Sequence, residues 1–530
     1  MKHCEVIFKP EGLRISIHAG ATLVEAAGQA GIVLNTACGQ RGICKKCVVQ
    51  LEPGGEKVLA CQYHIQSDIT VTVPAESRFF EHKILSKGLD VSGRICPDIY
   101  RKYLEINPSG RISGVAVDIG TTTVVAKLID MSSGECRATE AVINPQTRYG
   151  DDVISRISYA HTDKKLAELH KVIVNCISEL TVKLCRQAKT DAKYVYEMCV
   201  VGNTTMNHLF LKLPVSQLGQ APYRAFSVDA KDIPAGELFP AISSAGNVHT
   251  VENIAGFVGS DTVAAALATD ISLADEVTLL VDIGTNGEVV LGTKKKLYAA
   301  SCAAGPAFEG ARISCGSRAM AGAIEAVIVN NGDVDLDVIG SGEARSICGS
   351  GLIDAAAVML DLGIIDSTGR FVEREKLRNY LPPNIFARVV ELNGQPAFVL
   401  AYSCKGGEPK VVLTQKDIRE MQLAKAAIRA GIRLLQKKIG LDDSDIRHIL
   451  LAGAFGNYIR RESALRIGLL PDVPIERIRF IGNAACSGAE MVLLSSEARK
   501  SAGKLARSIE YIEIAHEKEF QNVFADSMLF

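Results

Sequence analysis

Apolar and polar positions change rhythm three times along this chain. Over residues 1–75 the apolar positions come in short alternating runs. Residues 4–8 and 13–17 read as strands about a turn at Gly12, and in 69–73 Ile69, Val71 and Val73 alternate with Thr70 and Thr72. Thr22 with Glu25 three residues on forms a capping box for a short helix over 22–31, and 48–51 and 58–61 supply further strands. Two strands, a helix and more strands predict a small α+β domain of β-grasp, ferredoxin-like type. Residues 76–111 lose the rhythm, with Pro97 and Pro108 interrupting mixed charge and short apolar patches such as Phe79-Phe80, as expected of a linker. From residue 112 to 530 strands alternate with helices, which predicts an α/β domain. Within it, Thr414 and Asp417 cap a long amphipathic helix that Gly440 stops.

The α/β part contains an echo. An apolar run over 115–117 ends in Asp118-Ile119-Gly120-Thr121-Thr122-Thr123, and a second over 279–281 ends in Asp282-Ile283-Gly284-Thr285-Asn286. A carboxylate at a strand tip, followed by a glycine turn rich in hydroxyls and N–H groups, suits phosphate oxygens and a hydrated Mg²⁺. One such turn is common hairpin chemistry. Two of them predict a duplicated unit, the second copy starting near residue 275, with both acidic tips facing one cleft. A third Gly-rich turn, Gly453-Ala454-Phe455-Gly456, follows another apolar strand. The trio in this order resembles the acetate kinase/sugar kinase/Hsp70/actin (ASKHA) superfamily, an α/β fold of duplicated RNase H-like units. That resemblance implies ATP and Mg²⁺ at Asp118, Gly120, Thr121, Thr122, Thr123, Asp282, Gly284, Thr285 and Asn286. It places Gly453, Ala454 and Gly456 by the adenosine, and at Gly453 and Gly456 any side chain would obstruct close approach. Asp118 and Asp282 are the catalytic candidates, holding the metal through water.

The first domain carries a second chemical signal. Cys38, Cys44 and Cys47 are spaced C-x₅-C-x₂-C, and Cys61 follows after 13 residues. Three thiolates on one loop and a fourth beyond it suit a [2Fe–2S] cluster, with a first gap one residue longer than the plant-type spacing. Structural zinc also takes four Cys, but usually through two C-x₂-C knuckles, and Cys61 stands alone. Gly39 and Gly42 let the loop bend around the sulfurs. The other Cys have no ligand spacing, and most of them read as small buried hydrophobes. His208, in the turn Gly202-Asn203-Thr204-Thr205-Met206-Asn207-His208, reads as structural. The Gly-rich stretches 303–310 and 348–352 read as helix entries that pack closely or meet a ligand, with packing preferred.

Composition narrows the classes. A chain of 530 residues with 47% hydrophobic content can bury several cores, and a net charge of −1 offers no case for nucleic acid. No apolar run is long enough for a bilayer, and the first residues resemble no secretory signal, so a cytoplasmic protein is expected. An odd total of 15 Cys fits reduced thiols and metal ligands better than a disulfide framework. No Gly-x₄-Gly-Lys-Ser/Thr loop is present, which leaves the aspartate turns as the nucleotide site.

A ferredoxin-like domain ahead of an ASKHA-type ATPase is a rare fusion. Asn144-Pro145-Gln146, Tyr149-Gly150-Asp151, Gly202-Asn203-Thr204-Thr205-Met206, Ala304-Gly305-Pro306-Ala307-Phe308-Glu309-Gly310 and Gly482-Asn483-Ala484-Ala485 sharpen it. Together they resemble the reductive activators of corrinoid enzymes over nearly the whole chain. The resemblance implies a [2Fe–2S] cluster on Cys38, Cys44, Cys47 and Cys61 that passes one electron to cob(II)amide on a separate corrinoid protein. ATP would drive this step, restoring cob(I)amide for methyl transfer. It leaves the upstream electron donor unnamed and a homodimer open. Larger members carry a further domain where this chain has only residues 74–111. Two other classes compete: an ATP-dependent activator of a radical dehydratase or reductase, and a redox or nucleotide sensor without turnover.

Overall fold

The computed structural model describes residues 3–530 except 11, 31, 33, 35–41, 43–46, 75, 76, 78–87, 92, 93, 151, 341, 404–406 and 454–458. The N-terminal unit is one mixed five-stranded sheet. Its strands are β1 (His3–Lys9), β2 (Leu13–His18), β3 (Val48–Glu52), β4 (Lys57–Leu59) and β5 (Ile69–Thr72), in the order β2-β1-β5-β3-β4. β1 and β5 run parallel although they stand at opposite ends of the domain's sequence, which is the β-grasp arrangement expected from the alternating runs. Helix Leu23–Gln29 lies across it, started as expected: the Glu25 carboxylate accepts the Thr22 N–H at 2.7 Å, and the Thr22 hydroxyl accepts that of Glu25.

The rest of the chain is built on two six-stranded sheets. The first contains β6 (Ser113–Ile119), β7 (Thr123–Asp130), β8 (Cys136–Ile143), β9 (Val195–Gly202), β10 (Lys231–Pro234) and β11 (Asn247–Thr250). Their order is β10-β11-β9-β6-β7-β8. The second contains β12 (Thr278–Ile283), β13 (Gly287–Thr293) and β14 (Lys296–Cys302). After β15–β17 (Ala323–Asn330, Asp333–Val338, Ser346–Ile347) and β18–β20 (Val389–Leu392, Gln395–Tyr402, Pro409–Thr414), it adds β21 (His448–Ala452), β22 (Ile478–Gly482) and β23 (Ile509–Tyr511). Here the order is β22-β21-β12-β13-β14-β23. In both sheets an antiparallel meander of three is followed by parallel strands on the far side of its first member: β8-β7-β6-β9-β11 matches β14-β13-β12-β21-β22. The echo between the two aspartate turns is therefore a true duplication of the supporting fold.

Between the sheets lie two helices of small residues, Ser260–Ala268 and Ala484–Leu494. They approach so closely that a Cβ on Gly488 would stand 2.0 Å from the Ala264 carbonyl oxygen. One core cluster joins them to inner residues of both sheets, among them Ala116, Val201, Leu280 and Ala452. The outer face of each sheet has its own core. The long helix Gln415–Ile439 has the expected Thr414/Asp417 capping box and a left-handed Gly440 at its end.

The stretch 76–111 departs from the linker expectation over its second half. From Gly88 onward it is a strap docked on the two-sheet unit. Val91, Ile99, Tyr103 and Ile112 are buried in the core between the sheets. The Asp98 N–H donates to the Leu494 carbonyl at 3.1 Å, and the Asp98 carboxylate accepts the Ser496 N–H and hydroxyl. The Tyr103 hydroxyl donates to Glu197, a fully buried carboxylate that Lys102 and Arg499 each meet at 2.8 Å. The strap begins on the first turn of helix Ala484–Leu494. The Ser487 hydroxyl donates to the Leu89 carbonyl at 3.0 Å, and a Cβ on Gly88 would stand 2.2 Å from the Asn483 carbonyl oxygen. Among the described residues no helix is long and apolar enough to cross a membrane.

Candidate functional site

Each phosphate-type turn follows from its strand. β6 carries Asp118 to its end and pairs with β7, so that Gly120 N–H donates to the Thr123 carbonyl at 2.9 Å and closes the turn. β12 and β13 do the same around Asp282, with Gly284 N–H donating to the Asn286 carbonyl at 3.0 Å. The first turn is held from behind by three polar side chains. Asn144 donates to the Gly120 carbonyl at 2.9 Å, Arg156 to the Thr121 carbonyl at 2.5 Å, and Asn203 to the Thr121 hydroxyl at 3.0 Å. Arg156 is fully buried, a cost justified only by hydrogen bonds such as these.

The two turns meet. The Thr122 hydroxyl lies 3.3 Å from that of Thr285, and both donate to one carboxylate, Glu309: Thr122 at 2.8 Å to one oxygen, Thr285 by a short bond to the other. Glu309 ends the turn Pro306–Glu309, within the stretch read from sequence as packing. Close packing holds in both stretches, where a Cβ on Gly351 would stand 2.3 Å from the Ile324 carbonyl oxygen and one on Gly310 2.4 Å from the Ser317 backbone, and Glu309 adds a polar contact to both turns.

Acidic groups gather between the turns. Asp118 and Asp282 are joined by Asp261, in the first turn of helix Ser260–Ala268, and by Glu288 on β13. The surrounding protein, and after it the charge of Asp261, pushes both Asp118 and Asp282 up to about 7. A hydrogen bond from Asn483 at 2.9 Å works in the opposite direction on Asp118. Asp261 rises to about 6 by burial, and Glu288 is held well above the usual range by burial and then by Asp261 and Asp282. All four residues keep some access to the cleft. Like charges crowded at one site call for a cation. No three ligands among the described residues converge closely enough to bind one ion directly. Carboxylates spread in this way suit a cation met through its water shell.

Gly453 lies at the end of β21, which runs parallel to β12. Its φ is +88°, and a Cβ would stand 2.5 Å from Asp282 Oδ1 and 2.7 Å from the Ile283 carbonyl oxygen. The need for glycine is thus against the second aspartate turn. Ala454 and Gly456 lie outside the described residues. So do Cys38 and Cys44. Cys47 and Cys61 are buried, and the pairing of β3 with β4, continued by the Ala60 N–H on the Cys47 carbonyl at 3.0 Å, puts Cys61 one residue beyond the position facing Cys47. The Gln62 amide donates to Cys61 Sγ at 3.5 Å, the kind of contact that suits a cluster thiolate. His208 is structural, as expected. Its Nδ1–H donates to the Thr204 carbonyl, its Nε2 accepts the Phe226 N–H, and burial lowers it to about 4.

Sequence reasoning missed Asp261, Glu288, Glu309 and Asn483. A carboxylate as the one acidic residue of a Gly-rich turn was the available signal for Glu309. The other three have no local signature.

Comparison with known proteins covers the chain in three parts. Residues 6–66 match the family of 2Fe–2S iron–sulfur cluster binding domains, 113–274 the RACo middle region, and 276–530 the C-terminal domain of RACo, the ASKHA domain. The chain is 33% identical over 580 residues, 97% of each protein, to the corrinoid activation enzyme RamQ of Eubacterium limosum. It is 26% identical to the [Co(II) methylated amine-specific corrinoid protein] reductase of Methanosarcina barkeri, over 78% of this chain and 76% of that one. A solved structure described as a reductive activator for corrinoid, iron-sulfur protein superposes with a TM-score of 0.72 at 31% identity, covering 99% of this chain and 98% of that chain.

Proposed function

Because the chain belongs to the RACo family of reductive activators of corrinoid proteins, we propose that it is an ATP-dependent activator that transfers one electron to cob(II)amide on a separate corrinoid protein. Cys38, Cys44, Cys47 and Cys61 hold the [2Fe–2S] cluster, which when bound supplies the electron. Mg-ATP sits between the aspartate turns. Asp118, Asp261, Asp282 and Glu288 face the hydrated ion, while Thr121, Thr122, Thr123, Thr285 and the N–H groups around Gly120 and Gly284 face phosphate.

The observation that carries this reading is the meeting of Thr122 and Thr285 on Glu309, two homologous turns from two homologous sheets at one point. A ligand that replaces this bridge binds both halves at once, and its affinity depends on how far the cleft is closed. Differential affinity of that kind is how nucleotide can work on a partner. Lifting an electron by roughly 100 mV needs about 2.3 kcal/mol, within the range of ordinary allosteric coupling.

The experiment mixes chemically reduced protein with a cob(II)amide-loaded corrinoid protein and follows the cob(I)amide band with and without Mg-ATP. A nucleotide-dependent rise is expected, absent in Asp282→Ala with its cluster intact. Equal cob(I)amide without nucleotide would favour a sensor and sink the proposal.

A further inference from the structure

We infer that Glu309 is the general base for ATP hydrolysis, the group that orients the attacking water and takes its proton. The assignment rests on the nucleotide site proposed above and gives that site its missing catalytic group.

Five carboxylates among the described residues stand in or near the cleft, and they divide by what they touch. Asp118, Asp261, Asp282 and Glu288 repel one another and are suited to face a cation. Asp118 is also tied to Asn483. Of the five, Glu309 is the one bonded to the hydroxyls of both phosphate turns, one on each of its oxygens. A phosphate entering between the turns needs those same hydroxyls as donors. Once they turn to phosphate, both Glu309 oxygens lose a partner and face the newcomer. Like charge forbids direct contact between carboxylate and phosphate, so the gap favours a water molecule bonded to both.

The backbone fixes that position. Gly305 (φ +73°) and Gly310 (φ +82°) bracket the turn, and Pro306 opens it. A Cβ on Gly310 would lie 2.4 Å from the Ser317 backbone, so the turn is wedged against its neighbour. Ala307 and Phe308 are buried beneath it. A carboxylate on such a support keeps its place when its hydroxyl partners leave, as a base must.

The step balances without a further reactant. The water oxygen bonds to the γ-phosphorus as the bond to the bridging oxygen breaks, ADP leaves with the electron pair, and one water proton passes to Glu309. Nothing is oxidised or reduced.

The test compares the full chain with Glu309→Gln and Glu309→Asp. Affinity for a non-hydrolysable ATP analogue is measured by calorimetry, and phosphate release over a single turnover is measured across pH. Glu309→Gln should bind the analogue within about threefold of the parent yet release phosphate roughly 10²-fold more slowly or worse, and lose the acidic limb of the pH profile. Glu309→Asp should recover part of the rate and restore that limb. An unchanged rate in Glu309→Gln overturns the assignment and leaves the nucleotide site standing. So does tighter binding with equal or faster hydrolysis, which would make Glu309 a latch that phosphate displaces. A parent chain that takes up no nucleotide sinks the site and the assignment together.

Discussion

Replacing Asp118 by Asn should stabilise the nucleotide-free protein at pH 8 while abolishing its hold on Mg-ATP. Asp118 titrates at about 7 in place of 3.8, chiefly because protein surrounds it and secondarily because of Asp261. A proton held that much more tightly corresponds to at most about 4 kcal/mol, reduced by whatever water the cleft admits. The folded state holds this proton more tightly than the unfolded chain does. The stability it contributes is therefore complete below about pH 4 and is lost as pH rises through about 7. The amide introduced by Asp118→Asn would carry no charge and can still accept the Asn483 amide N–H. The gain should approach its limit at pH 8 and fall to less than half of it at pH 5, where folded Asp118 is protonated but the unfolded chain still ionises it. Urea unfolding at both pH values, without divalent ions, followed by a probe in the ATPase-like unit, measures the difference. An Asp118→Asn variant no more stable than the parent at pH 8, or one equally stabilised at both pH values, would refute the reasoning. Mg-ATP should narrow the gap by stabilising the parent alone.

Gly453→Ala adds a Cβ 2.5 Å from Asp282 Oδ1 at φ +88°, a strain of about 1–3 kcal/mol. Calorimetric nucleotide affinity should fall about tenfold or more, with the visible spectrum of the cluster unchanged. Anaerobically prepared protein should contain about two irons and two labile sulfides per chain. Cys44→Ala should lose them, and Cys96→Ala, at an exposed thiol, should keep them. Arg499→Ala leaves Glu197 buried with Lys102 and Tyr103 as its remaining partners on the strap, a loss of about 1–3 kcal/mol. The strap over 88–112 should then become sensitive to limited proteolysis before the rest of the unit. Acid should have the same effect, because Glu197 is held below the usual range and its contribution is lost as pH falls.

How far the sequence could be read depended on how local each piece of chemistry is. The aspartate turns were legible because strand, carboxylate and glycine sit within a few residues, and the duplication repeats them. The capping boxes at Thr22 and Thr414 were legible for the same reason. Asp261 and Glu288 reach the site from a helix start and a strand interior, where an isolated acid carries no signature. Asn483 looks like an ordinary helix cap, and it is one, but its side-chain amide also serves Asp118. The strap did leave a trace: Val91, Ile95, Ile99 and Tyr103 recur every four residues, all packed on the core between the sheets. Pro97 in their midst read as a break in helical periodicity, whereas the chain uses an irregular path with one short turn at Ile99–Tyr103.

The seat of Gly88 on Asn483 makes two ends of the molecule answer to each other. Asn483 touches Asp118 through its side chain and the start of the strap through its carbonyl, so one residue belongs to the proposed nucleotide cleft and to the strap. Any factor by which nucleotide changes the seating of the strap is the factor by which strap seating changes nucleotide affinity. Tenfold in one direction is tenfold in the other, about 1.4 kcal/mol. A corrinoid protein that pulls on the ferredoxin-like domain would thereby be felt by bound ATP without approaching it. Gly88→Ala, which disturbs only the seat, should alter nucleotide affinity from outside the cleft.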